Sequence, residues 1–172
     1  MCAPTFSDNI NNDIEDSNQE IIMPPQTGSK LAELLKIVYN VIMVVICSCN
    51  LSNVYFREGI TTIPMNAFNQ CANLGNLYFG GVKTITKYAF SSANKTIGNI
   101  DFGAVTSIGP TTFSSATING TVKIGDGVTI DDNAFRDCTT LVNVTIPASV
   151  TEIGAGAFSS NYALTAISVK EG

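Results

Sequence analysis

Apolar residues recur along this chain at a constant spacing, and that spacing predicts most of its structure. From residue 67 onwards, a phenylalanine preceded by alanine or threonine occurs five times, at intervals of 22 or 23 residues, and an isoleucine always stands five positions before it. The phenylalanines are Phe68, Phe90, Phe113, Phe135 and Phe158, and the isoleucines are Ile63, Ile85, Ile108, Ile130 and Ile153. Repeats of this length are typical of solenoids, in which each unit stacks on the next and shares one interior.

A second element of each repeat is a triplet in which two apolar residues flank a third residue, as in Val144-Thr145-Ile146. A period of two places both apolar side chains on one face of a strand. We therefore predict strands near residues 53–57, 76–80, 99–103, 121–125, 143–147 and 166–170, lying side by side in a parallel β-sheet. The Ala-Phe step predicts a short helical or 3₁₀ turn.

The composition divides the chain into three parts. Residues 1–29 contain five acidic residues, no Lys or Arg and few large apolar groups, so we predict a disordered acidic tail. Residues 30–50 form an apolar segment. Residues 51–172 form the repeat domain, with about five repeats of 22–23 residues.

The apolar segment admits three interpretations. Its apolar residues follow helical spacing, which suits an N-terminal cap helix that covers the first repeat. The same run suits a signal sequence or a membrane anchor, although Lys36 and Asn40 interrupt it and it is shorter than the ~20 residues that span a bilayer. An eroded repeat is the third interpretation. Membrane association through residues 31–49 therefore stays an alternative.

The composition argues against several classes of function. The chain has no histidine, which excludes a Ser-His-Asp triad, a Cys-His pair and zinc sites built with histidine. Its net charge of −5 and the lack of any Lys/Arg tract argue against nucleic-acid binding. No motif predicts a metal site or a cofactor, so we predict a protein that is not an enzyme.

Two of the five cysteines, Cys71 and Cys138, lie three residues after a repeat phenylalanine. Three repeats separate them, which corresponds to roughly 14 Å at ~4.8 Å per strand. A disulfide needs Cα atoms within about 7 Å of each other, so these two cannot bond to each other. We predict that both are buried thiols packed as small apolar groups.

The middle residue of each triplet points away from the interior, and these residues predict a candidate protein-binding surface. They are Tyr55, Tyr78, Asp101, Lys123 and Thr145, followed by Ser168. A second, partial row is predicted beside them, from Asn53, Asn76, Asn99 and Asn143. Tyrosine is enriched among the residues that anchor protein interfaces, so Tyr55 and Tyr78 are the candidate anchors. Ordinary exposed strand residues are the alternative explanation.

The repeat closely resembles the BspA-like, or Treponema pallidum-type, leucine-rich repeat. The best match runs from Phe135 and Cys138 through Leu141, Val144 and Ile146-Pro147 to Ile153-Gly154 and Ala157-Phe158, and the resemblance covers residues 51–172. It implies a leucine-rich-repeat solenoid with a right-handed superhelix. It also implies a surface-exposed or secreted protein with an adhesin-like role towards a host or cell-surface protein.

Two classes of function follow from these observations. The first is a non-enzymatic protein-binding module at the cell surface or outside the cell, which the resemblance favours. The second is an intracellular structural or interaction scaffold in the cytoplasm, and the chain could also be a fragment of a longer repeat array.

Overall fold

A computed structural model describes residues 20–23, 52–56, 59–69, 71–91 and 96–170, with backbone alone at 20–23 and at Lys170. The described residues form thirteen β-strands and no helix. The strands are β1 Glu20–Met23, β2 Asn53–Phe56, β3 Thr62–Ile63, β4 Asn73–Phe79, β5 Thr84–Ile85, β6 Thr96–Asp101, β7 Ser107–Ile108, β8 Thr117–Ile118, β9 Val122–Lys123, β10 Thr129–Ile130, β11 Asn143–Pro147, β12 Glu152–Ile153 and β13 Ala166–Lys170.

One long parallel sheet, here called sheet I, contains the strands that the apolar triplets predict. Its order is β1-β2-β4-β6-β9-β11-β13, and β8 also pairs with β6. The register joins equivalent positions of successive repeats, for example Val54 with Leu77 and Val144 with Ile167. The chain is therefore a β-solenoid of about five coils, as the repeat spacing predicts.

A second parallel sheet, here called sheet II, was not predicted. It consists of five two-residue strands in the order β12-β10-β7-β5-β3, and each strand ends on the isoleucine of its repeat. The residue before each isoleucine is a threonine or serine in four coils and Glu152 in the fifth. β-Branched pairs of this kind favour extended backbone, but a two-residue run is too short to show a period of two.

The predicted interior lies between the two sheets and is continuous from coil to coil. Ile85, Ile108 and Ile130 are fully buried and occupy paired positions in sheet II. The repeat phenylalanines form a separate column in which neighbouring rings lie parallel, with centroids 4.8 to 5.3 Å apart. A third backbone ladder accompanies this column, because each of the first four phenylalanines donates its N–H to a carbonyl of the next coil.

The prediction of helical or 3₁₀ turns at the Ala-Phe steps was wrong. These segments are hydrogen-bonded turns in which the residue before each Ala-Phe or Thr-Phe pair has a positive φ. The residues concerned are Asn66 (59°), Tyr88 (58°), Thr111 (58°), Asn133 (55°) and Gly156 (64°). A left-handed residue interrupts a right-handed helical run after one turn, so the segment reverses the chain direction and does not extend into a helix.

The N-terminal part departs from prediction at four residues. Glu20–Met23, which lie within the predicted disordered tail, form β1 and pair in parallel with β2. The segment Glu-Ile-Ile-Met contains two adjacent β-branched residues, and an open sheet edge offers unpaired N–H and C=O groups to such a strand. The predicted cap, signal or anchor in residues 30–50 lies outside the described residues. No helix that could span a membrane is found in the part of the chain that the structure describes.

Candidate functional site

The outward face of sheet I carries the five residues predicted as a binding surface, and it brings them into one column. Tyr55 pairs in register with Tyr78, Tyr78 with Asp101, Asp101 with Lys123 and Lys123 with Thr145. Ser168 follows Thr145 on β13. We call these six residues the outer column. Their alignment follows from the register of the parallel strands, whereas their role in binding stays a prediction.

The two tyrosines of the outer column stack on each other. Their ring centroids are 4.6 Å apart and the ring planes differ by 8°. Both side chains are half-buried. A stacked pair of this kind presents a larger and more rigid apolar surface than a single exposed ring, at a small cost in side-chain entropy.

An ion pair occupies the middle of the outer column. Lys123 Nζ lies 3.0 Å from Asp101 Oδ2, while Asp101 Oδ1 accepts the backbone N–H of Gly103 at 3.0 Å. The two side chains are 38% and 67% exposed for Asp101 and Lys123. An exposed pair adds at most ~1 kcal/mol to folding, so its main effect is to place a fixed positive and negative charge beside the tyrosines.

The predicted asparagine row is a hydrogen-bonded ladder over four coils. Asn76 Nδ2 donates to Asn53 Oδ1 at 2.9 Å, and Asn76 Oδ1 accepts the backbone N–H of Asn99 at 2.7 Å. Asn99 Oδ1 accepts the N–H of Thr121 at 2.9 Å and its hydroxyl at 3.1 Å. The row stops at Thr121, since among the described residues no side-chain hydrogen bond joins Thr121 to Asn143. These amides therefore stabilise the stacking of coils.

Glycines form a third row that sequence reasoning missed. Gly80, Gly103 and Gly125 follow the strands of successive coils on the outward face. A Cβ atom on Gly125 would lie 2.5 Å from the carbonyl oxygen of Gly103, which is closer than real Cβ contacts. The recurrence of glycine at 22–23-residue spacing was the available signal. The row leaves exposed backbone beside the outer column, because glycine has no side chain to cover it.

The two described cysteines differ from each other. Cys138 is a buried free thiol, as predicted, and its Sγ donates to the carbonyl oxygen of Phe113 at 3.1 Å. Burial raises the pKa of the Cys138 thiol to about 12, which keeps it protonated and unreactive. Cys71 is disulfide-bonded, so its prediction as a thiol was wrong. The spacing argument excluded only a bond between Cys71 and Cys138.

Within the described ranges, no three cysteine, aspartate, glutamate or histidine side chains lie close enough together to hold a metal ion.

Comparison with known proteins identifies the repeat. The family model described as the BspA type leucine rich repeat region matches residues 44–165 in six copies. Two solved structures are similar. A leucine rich cell surface protein of Faecalibacterium prausnitzii is 28% identical, with 73% of this chain and 41% of that chain covered and a TM-score of 0.45. A leucine-rich repeat protein of Eubacterium ventriosum is 19% identical, with 89% and 66% covered and a TM-score of 0.27.

This chain therefore spans about two fifths of the length of the Faecalibacterium protein. No curated protein matches it.

Proposed function

Because this chain belongs to the BspA-type leucine-rich repeat family, we propose that it is a non-enzymatic, protein-binding module of a cell-surface or secreted protein. Its contact surface is the outer column of sheet I. The observation that carries the proposal is the stacked pair Tyr55–Tyr78, which stands half-exposed beside an ion pair and a row of glycines. The adhesin-like character of the role comes from the resemblance of the repeat.

Two features of the outer column support a protein partner. Aromatic anchors surrounded by polar groups are typical of protein interfaces, whose energy is concentrated in a few residues such as tyrosine. The stacked rings cover part of each other's faces, so each ring has less free face on which a sugar could stack than an isolated tyrosine has. The fixed Asp101–Lys123 pair adds orientation, because charges at an interface select the partner and its register.

Binding to an array of immobilised extracellular proteins tests the proposal. We expect the double variant Tyr55→Ala/Tyr78→Ala to lose at least about tenfold in affinity for any protein that the wild type binds, since an interface tyrosine contributes ~2 kcal/mol. The control is Tyr162→Ala, which removes a tyrosine that is 86% exposed and lies outside the outer column. Circular dichroism checks that both variants remain folded.

Two outcomes would contradict the proposed surface. One is unchanged affinity of the double variant. The other is an equal loss in Tyr162→Ala, because that result would assign the effect to a different part of the chain.

The disulfide of Cys71 supports a location outside the cytoplasm. Disulfides persist in secreted and surface proteins, whereas the cytoplasm keeps most thiols reduced. The bond therefore favours the surface or secreted module over the cytoplasmic scaffold.

Reduction should lower the stability of the wild type by about 2–4 kcal/mol, which is the usual contribution of a disulfide. Thermal unfolding with and without dithiothreitol measures this. We expect Cys71→Ser to melt, without reductant, at the temperature of the reduced wild type. Adding reductant should not lower its melting temperature further. Cys138→Ser, which removes a free thiol, should keep the full response. A reductant effect of wild-type size in Cys71→Ser would show that Cys71 does not form the bond that matters.

A further inference from the structure

The face of the solenoid formed by sheet II separates its charges by sign. Lys83 and Lys87 flank β5, whereas Asp131 and Asp132 follow β10 and Glu152 begins β12. All five side chains are exposed. The strand between them, β7, lies in a stretch from Phe102 to Val122 that contains no charged residue. The face therefore has a basic patch, an uncharged middle and an acidic patch, in that order along the solenoid.

These charges are not neutralised by each other within the chain. In the described ranges the ion pairs are Asp101–Lys123 and Arg136–Asp137. Lys83 Nζ contacts the carbonyl oxygen of Ala104 at 3.4 Å, and Lys87 lies over the Tyr88 ring. β5 and β10 are two strands apart, which is roughly 10 Å. That distance is comparable to the screening length at physiological salt, so attraction between the patches of one chain is weak.

We propose that two copies of this chain associate through their sheet II faces in an antiparallel arrangement. A two-fold axis that lies in the contact plane, parallel to β7 and between the two copies of β7, places β5 of each copy against β10 of the other. Lys83 and Lys87 of each copy then face the acidic patch of the second copy, which consists of Asp131, Asp132 and Glu152. The centre of the contact contains Ser107, a small half-buried residue that allows the faces to approach closely.

The pattern of charge on the sheet II face favours a second copy of this chain over other partners. A two-fold interface requires a surface that is complementary to itself, and the charges here change sign about an uncharged middle strand. A uniformly acidic or basic partner would match one patch and be repelled by the other. The contrast with sheet I supports the same conclusion, because there the opposite charges of neighbouring coils, Asp101 and Lys123, already pair within the chain.

Sedimentation velocity of the full chain tests the proposal. We expect a monomer–dimer equilibrium at low ionic strength, with dimer affinity falling at least about tenfold between ~0.05 M and ~0.5 M NaCl. The charge-reversal variants Lys83→Glu/Lys87→Glu and Asp131→Lys/Glu152→Lys should each be monomeric at low salt. Asp132 is left in place because its Oδ1 accepts the N–H of Ala155 at 2.7 Å.

Mixing and combining the reversals gives the decisive comparison. An equimolar mixture of the two double variants should form a heterodimer, and all four reversals in one chain should restore the homodimer. Arg136→Glu is the control, since Arg136 lies on the turn after Phe135 and outside the sheet II face. It should leave the wild-type dimer affinity unchanged.

Three results would overturn the proposal. A wild type that stays monomeric at low salt would exclude self-association. A dimer that resists both salt and the charge reversals would locate the contact on another face. Failure of the mixed and combined variants to associate, with circular dichroism showing them folded, would remove charge complementarity as the cause.

Discussion

The variant Ile108→Asp is expected to abolish cooperative folding of the coils, whereas Ile153→Asp should lower the melting temperature by only a few degrees. Ile108 is fully buried, and its strand β7 pairs with β5 on one side and β10 on the other. Ile153 has the same place in its coil but is 48% exposed, since β12 has a partner on one side only among the described strands.

The size of the difference follows from burial. Removing the buried isoleucine costs ~2–5 kcal/mol, and an unpaired carboxylate in an apolar interior adds several kcal/mol more. Natural domains are stable by ~5–15 kcal/mol, so Ile108→Asp removes most or all of the margin. At Ile153 the carboxylate remains hydrated, and the loss is limited to partial burial of one side chain.

Circular dichroism during thermal unfolding compares the two variants. The stability of stacked repeats is a sum over nearest neighbours, so an inner coil loses two interfaces and the last coil loses one. Equal decreases of the melting temperature in Ile108→Asp and Ile153→Asp would contradict the stacked interior. Ile108→Val is a matched control that keeps the apolar surface and should cost only ~1 kcal/mol.

The strands of sheet I and the outer column were predictable from sequence because side-chain direction in a strand has a period of two. Val144 and Ile146 fix the inward face, so Thr145 must point outward. The 22–23-residue interval then aligns Thr145 with Lys123 and Asp101. The structure contains this register. The stacking of Tyr55 on Tyr78 follows from the same alignment, since equivalent positions of adjacent parallel strands lie ~4.8 Å apart.

Sheet II and the turns were not predictable by the same reasoning, because they depend on backbone conformation and not on a side-chain pattern. Tyr88 and Thr111 adopt left-handed φ values that bulky or β-branched residues rarely take. The isolated sequence favours a right-handed turn there. The hydrogen bonds from the first four phenylalanine N–H groups to the next coil form only when the coils stack. They stabilise Tyr88 and Thr111 in a backbone conformation that is unfavourable in the isolated segment.

Strand β1 is a long-range feature that no repeat pattern encodes. β1 pairs Glu20 with Asn53, across a separation longer than one repeat. The disordered tail was predicted from the overall composition of residues 1–29, in which the two isoleucines of β1 are outnumbered by acidic and polar residues. The disulfide of Cys71 was not predicted because the argument from coil spacing considered only a bond between Cys71 and Cys138.

Phe113→Ala is expected to destabilise the protein by ~3–5 kcal/mol, which is the usual cost of deleting a buried phenylalanine and leaving a cavity. Phe113 is fully buried between Phe90 and Phe135, with ring centroids 5.0 and 5.1 Å away. It also meets Phe102 edge to face at 5.7 Å. Each lost aromatic pair adds ~1 kcal/mol beyond the buried area, so the value should lie towards the upper end.

The end of the same column provides the control. Phe158 is half-buried and stacks on Phe135 alone among the described rings. Phe158→Ala should therefore cost less than half as much as Phe113→Ala in urea unfolding, with a similar m-value for both because neither changes the surface exposed on unfolding by much. If the two variants lose equal free energy, the phenylalanines act as independent local contacts. The graded loss expected here requires that each ring be held by the coil on either side of it.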